Sequence, residues 1–193
     1  MIKWLKKKIK KEKQKRLYNA YIYKHKKNVL RAFYEMLQCH DLEWIMQDPD
    51  IYKPLWIRAL DHDDSKFDPE EYDAYRAHFF PIDKEEKEEN AAAFEKAWEH
   101  HWKNNDHHWQ ARVTWKDEDF NINTELACLE NIMDWLAMGY EFHDRPFEYY
   151  EKNKDKITLP EKQKQFIEKC IYQGIDKKNV LMKEGKFDVW NEL

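Results

Sequence analysis

Apolar residues recur along the chain at three- and four-residue spacing, the period of a helix that buries one face. Val29, Leu30, Phe33, Met36 and Leu37 share one stripe of a helix expected to begin near Lys15 and to run to about His40. Leu42, Trp44, Ile45 and Met46 follow before an expected break at Asp48-Pro49-Asp50. Pro54 then opens a short expected helix through Leu55, Trp56, Ala59 and Leu60, ending around His62-Asp63. Asp68-Pro69-Glu70-Glu71 reads as a helix start, with Asp68 as cap, Pro69 in the first position and Glu71 closing a capping box. Asp83 and Glu86 give a second such start, leading into Glu88–Lys103.

Residues 110–122 lack helical spacing. Asn123 or Thr124 then caps a strong helix whose stripe is Leu126, Leu129, Ile132, Met133 and Leu136, with Gly139 as its expected stop. Further helices are expected over Phe147–Lys156 and Pro160–Tyr172, the latter closed by Gly174. The pattern predicts an all-α fold, a single compact helical bundle. A basic N-terminal extension covers residues 1–22, the bundle residues 23–175 and a C-terminal tail residues 176–193.

Composition narrows this picture. Aromatic residues make up 16% of the 193 positions, enough for a core in spite of 37% charged residues. Only three glycines and six prolines occur, too few for the turns of a sandwich or barrel. No window approaches the roughly 18 apolar residues of a membrane span, and the first residues lack the apolar block of a secretory leader. A cytoplasmic setting, in a bacterial or phage-infected cell, is therefore expected, with Cys39, Cys128 and Cys170 as reduced thiols.

The net charge of −4 hides an asymmetry. Residues 1–27 carry eleven lysines and Arg16 against Glu12, a net of +11, which leaves the rest of the chain at −15. Ile2, Leu5 and Ile9 recur at helical spacing within this segment, so it can form an amphipathic helix. Such a segment can bind nucleic acid or an anionic surface, fold back on its own body, or stand as a solvated leading helix.

The chemistry concentrates in histidine and aspartate. Of nine histidines, His100, His101, His107 and His108 fall within nine residues, and His62-Asp63 is flanked by Asp61 and Asp64. Imidazoles and carboxylates are ligands for Mn, Fe, Ni or Zn, and the absence of nearby cysteine argues against a structural zinc–thiolate site. One helix presents only about two ligands to one ion, so a site must draw on several elements. His25, His62-Asp63, the two His-His pairs and Asp134 are the candidates. Each also has an ordinary reading: His25 sits among lysines, the His100–His108 run can be a solvated helix end, and Glu130 with Asp134 can solvate one helix edge.

The order His25, His62-Asp63, Asp134 resembles that of the HD-domain superfamily of metal-dependent phosphohydrolases. The surrounding residues, His62-Asp63-Asp64-Ser65-Lys66-Phe67, Glu71-Tyr72, Tyr75, Ala97-Trp98 with His100-His101, Asn104 and His107-His108, and Asp134-Trp135 with Ala137-Met138-Gly139, look like an uncharacterised phage and bacterial family grouped with those enzymes. The likeness spans roughly residues 25 to 172. It implies a metal-dependent phosphohydrolase acting on a small, nucleotide-like phosphoester, with one or two divalent transition metals. His25, His62, Asp63, His101, His107 and Asp134 are the implied ligands, and His100, His108, Glu71 and Asn104 lie in or around a second site. Asp63 and Lys66 are the implied catalytic groups, Lys66 as a point charge for a phosphate oxygen. His101 and His107 are closer in sequence than the matching histidines of better-known two-metal members. The competing readings are a non-catalytic module of the same shape that binds nucleic acid or a protein through the basic arm, and a structural protein stiffened by metal. P-loop, dinucleotide-binding glycine and nucleophile-elbow patterns do not occur.

Overall fold

The computed structural model describes residues 2–183, and every regular element among them is helical. Eleven α-helices occur among the described residues. They are α1 (Ile2–Leu37), α2 (Trp44–Gln47), α3 (Pro49–Asp61), α4 (Tyr72–Phe79), α5 (Lys84–Glu89), α6 (Ala91–Asn104), α7 (Trp109–Arg112), α8 (Ile122–Phe142), α9 (Pro146–Asn153), α10 (Glu161–Glu168) and α11 (Lys177–Lys183). Short 3-10 turns lie at His40–Leu42, Asp64–Phe67 and Asp117–Asp119, and a π-helical turn at Lys169–Ile175. No described helix is long and apolar enough to cross a membrane.

The all-α expectation holds, while several boundaries move for identifiable reasons. The first helix is continuous from Ile2 rather than starting near Lys15, because its first half holds good helix formers and neither Gly nor Pro. Asp48-Pro49 opens α3 instead of merely separating two helices. The Asp48 carboxylate accepts from the Asp50 amide, with Pro49 at the first helical position. Pro54 therefore lies inside α3, where its missing donor falls opposite the carbonyl of solvent-exposed Asp50.

The expected capping box at Asp68 does not form. The turn runs on to Tyr72, and the Glu71 side chain is turned inward. Asp83 does cap, accepting from the Glu86 amide, but the helix it starts ends at Asn90 and α6 begins afresh at Ala91. Asn121, not Asn123 or Thr124, caps α8. Gly139 is not its stop: α8 passes through it to Phe142 and closes on His143 in the left-handed region. A Cβ at Gly139 would lie 2.4 Å from the Asp144 carbonyl oxygen, so the glycine permits that close approach.

Of the expected C-terminal tail, residues 177–183 form α11, with Asp176 buried just before it; residues 184–193 lie outside the described residues. The three cysteines are free.

α8 runs through the centre, flanked by α1, α3, α9 and α10. Its stripe of Leu129, Ile132, Met133 and Leu136 packs with Val29, Phe33 and Met36 of α1, Ile51 and Leu55 of α3, and Ile167 of α10, all buried. A smaller cluster joins Tyr18 and Ile22 of α1 to Tyr75 of α4 and Ala97 of α6. Between the two clusters, α1, α3, α6 and α8 turn polar side chains toward each other.

Candidate metal centre

His25 stands four residues ahead of Val29 on α1, on the same face, and is itself buried. α3 ends at Asp61, and the chain then makes a sharp turn. His62 leaves the helical region at φ −49°, ψ 127°, and Asp63 takes φ 60°, ψ 19° in the left-handed region. That conformation costs a non-glycine residue about 1–2 kcal/mol, and aspartate is among those that tolerate it. It sets the Asp63 carboxylate, 2% exposed, in the middle of the polar cluster. α8 contributes Glu130 and Asp134, one turn apart. α6 contributes His101, and the loop beyond it His107 and His108.

The two oxygens of Asp63 face two different groups. Oδ2 lies 3.3 Å from His25 Nε2 and 3.5 Å from His62 Nε2. Those two nitrogens are 3.2 Å apart, and Asp134 Oδ1 lies 3.2 Å from the first and 3.7 Å from the second. Ligand atoms bound at about 2.0–2.2 Å to one ion sit about 3–3.5 Å from their neighbours, so this set has the dimensions of a coordination shell. Oδ1 lies 3.1 Å from His101 Nε2 and 3.8 Å from His107 Nε2, and His108 completes that group. Asp63 Oδ1 and the Nε2 atoms of His101, His107 and His108 are all buried without a hydrogen-bond partner among the described residues. Unpaired buried polar atoms are expensive, and four converging on one point are what a cation would satisfy.

The outer ring nitrogens are held by carboxylates. His62 Nδ1 donates to Glu130 Oε1 at 2.8 Å, and His107 Nδ1 lies 3.2 Å from the same oxygen. His101 Nδ1 donates to Glu71 Oε2 at 2.8 Å. With the proton on Nδ1, each of these rings turns an Nε2 lone pair inward, the arrangement that orients metal-binding histidines. Glu130 is anchored in turn by Arg58 Nη1 at 2.7 Å, and Arg58 forks onto Asp106 at 2.6 and 2.9 Å. Arg112, fully buried, donates to Asn131, Cys128 and the His107 carbonyl, which fixes the loop carrying His107 and His108.

Charge follows the same plan. Burial alone would raise Asp63, but Lys66, His62 and His101 hold it well below the usual carboxylate range. Burial is likewise outweighed at Asp134 by His25 and His62, and at Glu130 by His107 and His62, so both stay ionised. His62 is pulled down by burial yet pushed up to about 10 by Asp63, Asp134 and Glu130, so a bound cation would have to displace its Nε2 proton. His108 goes the other way: burial, His107 and His101 keep it neutral, as a ligand must be.

The remaining expected residues are placed as follows. Lys66 lies in the 3-10 turn, not on a helix, with Nζ 2.5 Å from Asp63 Oδ2. His100 is partly exposed and meets the other Glu71 oxygen at 2.9 Å, outside the clusters. Asn104 is exposed and donates to the His100 carbonyl; Asn105 points inward instead, donating to Ser65 Oγ. Glu71 orients His101 and does not join any of the converging groups. Sequence reasoning gave no role to Arg58, Arg112, Ser65 or Asn105, and read Glu130 as a helix edge. The available signal at Glu130 was an acid at the same helical phase as Leu126.

A cleft of about 600 Å³ opens onto this cluster. Lys66, His108 and Asp134 reach its floor, while Tyr75, Phe94, Trp98, Trp109, Trp135 and Tyr149 line its sides.

Fold and site together define an all-α protein with buried His/Asp/Glu clusters dimensioned for metal ions. The chain belongs to a family of unknown function, DUF5662, whose model matches residues 14–173. That family's description carries no activity and no HD-domain assignment. No curated protein matches the chain, and no solved structure does.

Proposed function

We propose that this protein is a metal-dependent phosphohydrolase acting on a nucleotide-like phosphoester, with its centre in the His25/His62/Asp63/Asp134 and Asp63/His101/His107/His108 groups. The observation that carries the reading is Asp63, whose two oxygens face two separate sets of nitrogen and oxygen atoms, one of them wholly unpaired. The order of His25, His62-Asp63 and Asp134, which resembles HD-domain enzymes, supports it. The donor set fits Mn, Fe, Ni or Zn, being imidazole and carboxylate without thiolate.

Bound divalent ions supply Lewis acidity toward a phosphate oxygen and activate water at neutral pH. The chain's own part is to hold the reactants. Glu130 and Glu71 fix the imidazoles, so that little reorganisation accompanies binding. Burial pulls the Lys66 ammonium down, yet Asp63 and Asp134 hold it up and charged. It reaches the cleft floor, where a phosphate oxygen can accept from it. The aromatic walls offer flat faces on which a heterocycle stacks. Among the charged residues of the cleft, Lys66 is the one lysine, against Glu95, Asp134 and Asp144, a balance suited to one phosphate rather than a triphosphate.

The test is metal content of the natively purified protein, followed by phosphate release from nucleoside monophosphates after loading with Mn, Fe, Ni or Zn. Bound metal and a higher rate on monophosphates than on triphosphates are expected. Absence of metal after reconstitution would falsify the reading.

A further inference from the structure

Between Trp4 and Arg16, α1 carries seven lysines and Arg16 against Glu12, a net of +7. Only the part nearest the body is tied to it. Lys11 meets Asp73 at 3.8 Å and Gln14 donates to the Pro81 carbonyl at 2.9 Å, while further on Lys24 pairs with Glu141 at 2.5 Å and Lys26 with Asp64. Among the described residues, Lys6, Lys7, Lys10, Lys13, Lys15 and Arg16 meet no carboxylate. The acidic body therefore leaves this charge unneutralised.

Three large apolar residues stand out of the same stretch, Trp4, Leu5 and Ile9, which are 65%, 49% and 62% exposed. Their direction is fixed by the helix. Leu5 precedes Gln14 by nine residues and Ile9 precedes Tyr18 by nine, which is about half a turn round at about 100° per residue. Gln14 and Tyr18 face the body, one hydrogen-bonded to it and the other buried in it. Leu5 and Ile9 therefore look away from the body, and α1 cannot cover them while it keeps those contacts. Trp4 lies about 100° round the helix from Leu5, outside this stripe, with the Lys8 ammonium 5.4 Å from its ring. Lysines flank the stripe on both sides.

We infer that residues 4–16 are an interfacial helix that docks the protein on an anionic lipid bilayer. Leu5 and Ile9 sit at the boundary of headgroups and acyl chains, and the lysines sit on lipid phosphates. A narrow apolar stripe bounded by lysines whose stems reach outward is the pattern such helices share. Charge complementarity to an anionic leaflet supplies the long-range attraction, while the net-negative body is repelled from the same surface and stays clear of it. A duplex or single strand would use the lysines but has no place for an aliphatic stripe. This inference is independent of the metal centre.

The experiment is flotation of the full-length protein with vesicles of phosphatidylcholine alone and of phosphatidylcholine mixed with phosphatidylglycerol. Binding is expected to the mixed vesicles only. The double change L5S/I9S, at exposed positions, should reduce it at least tenfold with helix content and metal content unchanged. K6S/K10S should reduce it as well and flatten its salt dependence. Equal binding to both vesicles, or L5S/I9S binding like the wild type, overturns the inference. So does duplex DNA or RNA that binds the protein more tightly than the mixed vesicles do, or a dimer dispersed by L5S/I9S, since the stripe then serves nucleic acid or a second copy.

Discussion

α1, α3 and α8 build two adjoining regions of opposite character. In one, Val29, Phe33 and Met36, Ile51 and Leu55, and Leu129, Ile132 and Leu136 interlock as a buried core of aliphatic and aromatic side chains. In the other region the chemistry changes: His25 stands one turn before Val29, His62 just past Ala59, and Glu130 and Asp134 on the face of α8 beside its apolar stripe, within the length that stripe spans. Burial is comparable in the two regions, and the physics is not. The first gains free energy by leaving water. The second loses it on desolvation and recovers it only through carboxylate–imidazole pairs and, in the proposed state, metal. A fold can afford such a region where the same helices are already fixed by the apolar one.

Damage in the two regions should therefore read out differently. The largest effect is expected from Asp63→Ala, which removes an oxygen from each ligand group and leaves buried imidazoles facing one another. Bound metal and activity should both disappear, as measured by metal analysis and phosphate release. Full metal occupancy in that variant would break the proposed division between the regions. Next comes Phe33→Ala in the core, where truncating a fully buried aromatic typically costs about 3–5 kcal/mol. Denaturant unfolding should show that loss, while metal content per folded molecule stays unchanged. Metal lost in proportion to stability would mean that the two regions are one.

The apolar region was legible from the sequence because hydrophobic spacing reports burial directly. The stripes of α1 and α8 were read correctly from Val29, Phe33, Leu129 and Leu136. Helix ends were less legible, since they depend on which of several capping residues wins: Asp48 and Asn121 won, while Glu71 was drawn inward by His101. The polar region was legible only in part. His62-Asp63 and the run of histidines announce themselves by type, and the structure brings His25, His62, Asp63, His101, His107, His108 and Asp134 together. Arg58, Arg112 and Glu130 act through partners up to 72 positions away, and no local pattern encodes such pairings.

A smaller effect is expected where the regions are sharpened rather than broken. Glu130→Gln keeps the shape of the side chain but removes the charge that holds His62 and His107 and that Arg58 anchors. Changes to groups that orient metal-bound histidines typically weaken affinity about 10–100-fold. Titration with Zn or Mn should show a loss in that range, with the ligands still present. An unchanged affinity would place Glu130 with the helix-solvating residues instead.

An effect of similar size, and the most discriminating, is expected at Lys66. Its ammonium lies against Asp63 Oδ2 and at the cleft floor, so two roles compete: neutralising a ligand or gripping substrate. If it grips substrate, Lys66→Ala removes a charge-assisted hydrogen bond to phosphate worth about 1.5–3 kcal/mol, or about 10–100-fold in turnover. The same change frees Asp63 Oδ2 from a competing cation, so metal affinity should hold or rise. Asp134→Ala, by contrast, should lose metal and turnover together, because Asp134 Oδ1 faces both His25 and His62. Parallel metal titration and phosphate-release rates on the two variants separate the roles. Should Lys66→Ala lose metal as Asp134→Ala does, the lysine belongs to the electrostatics of the cluster, and the phosphate must be held by something else on the cleft floor.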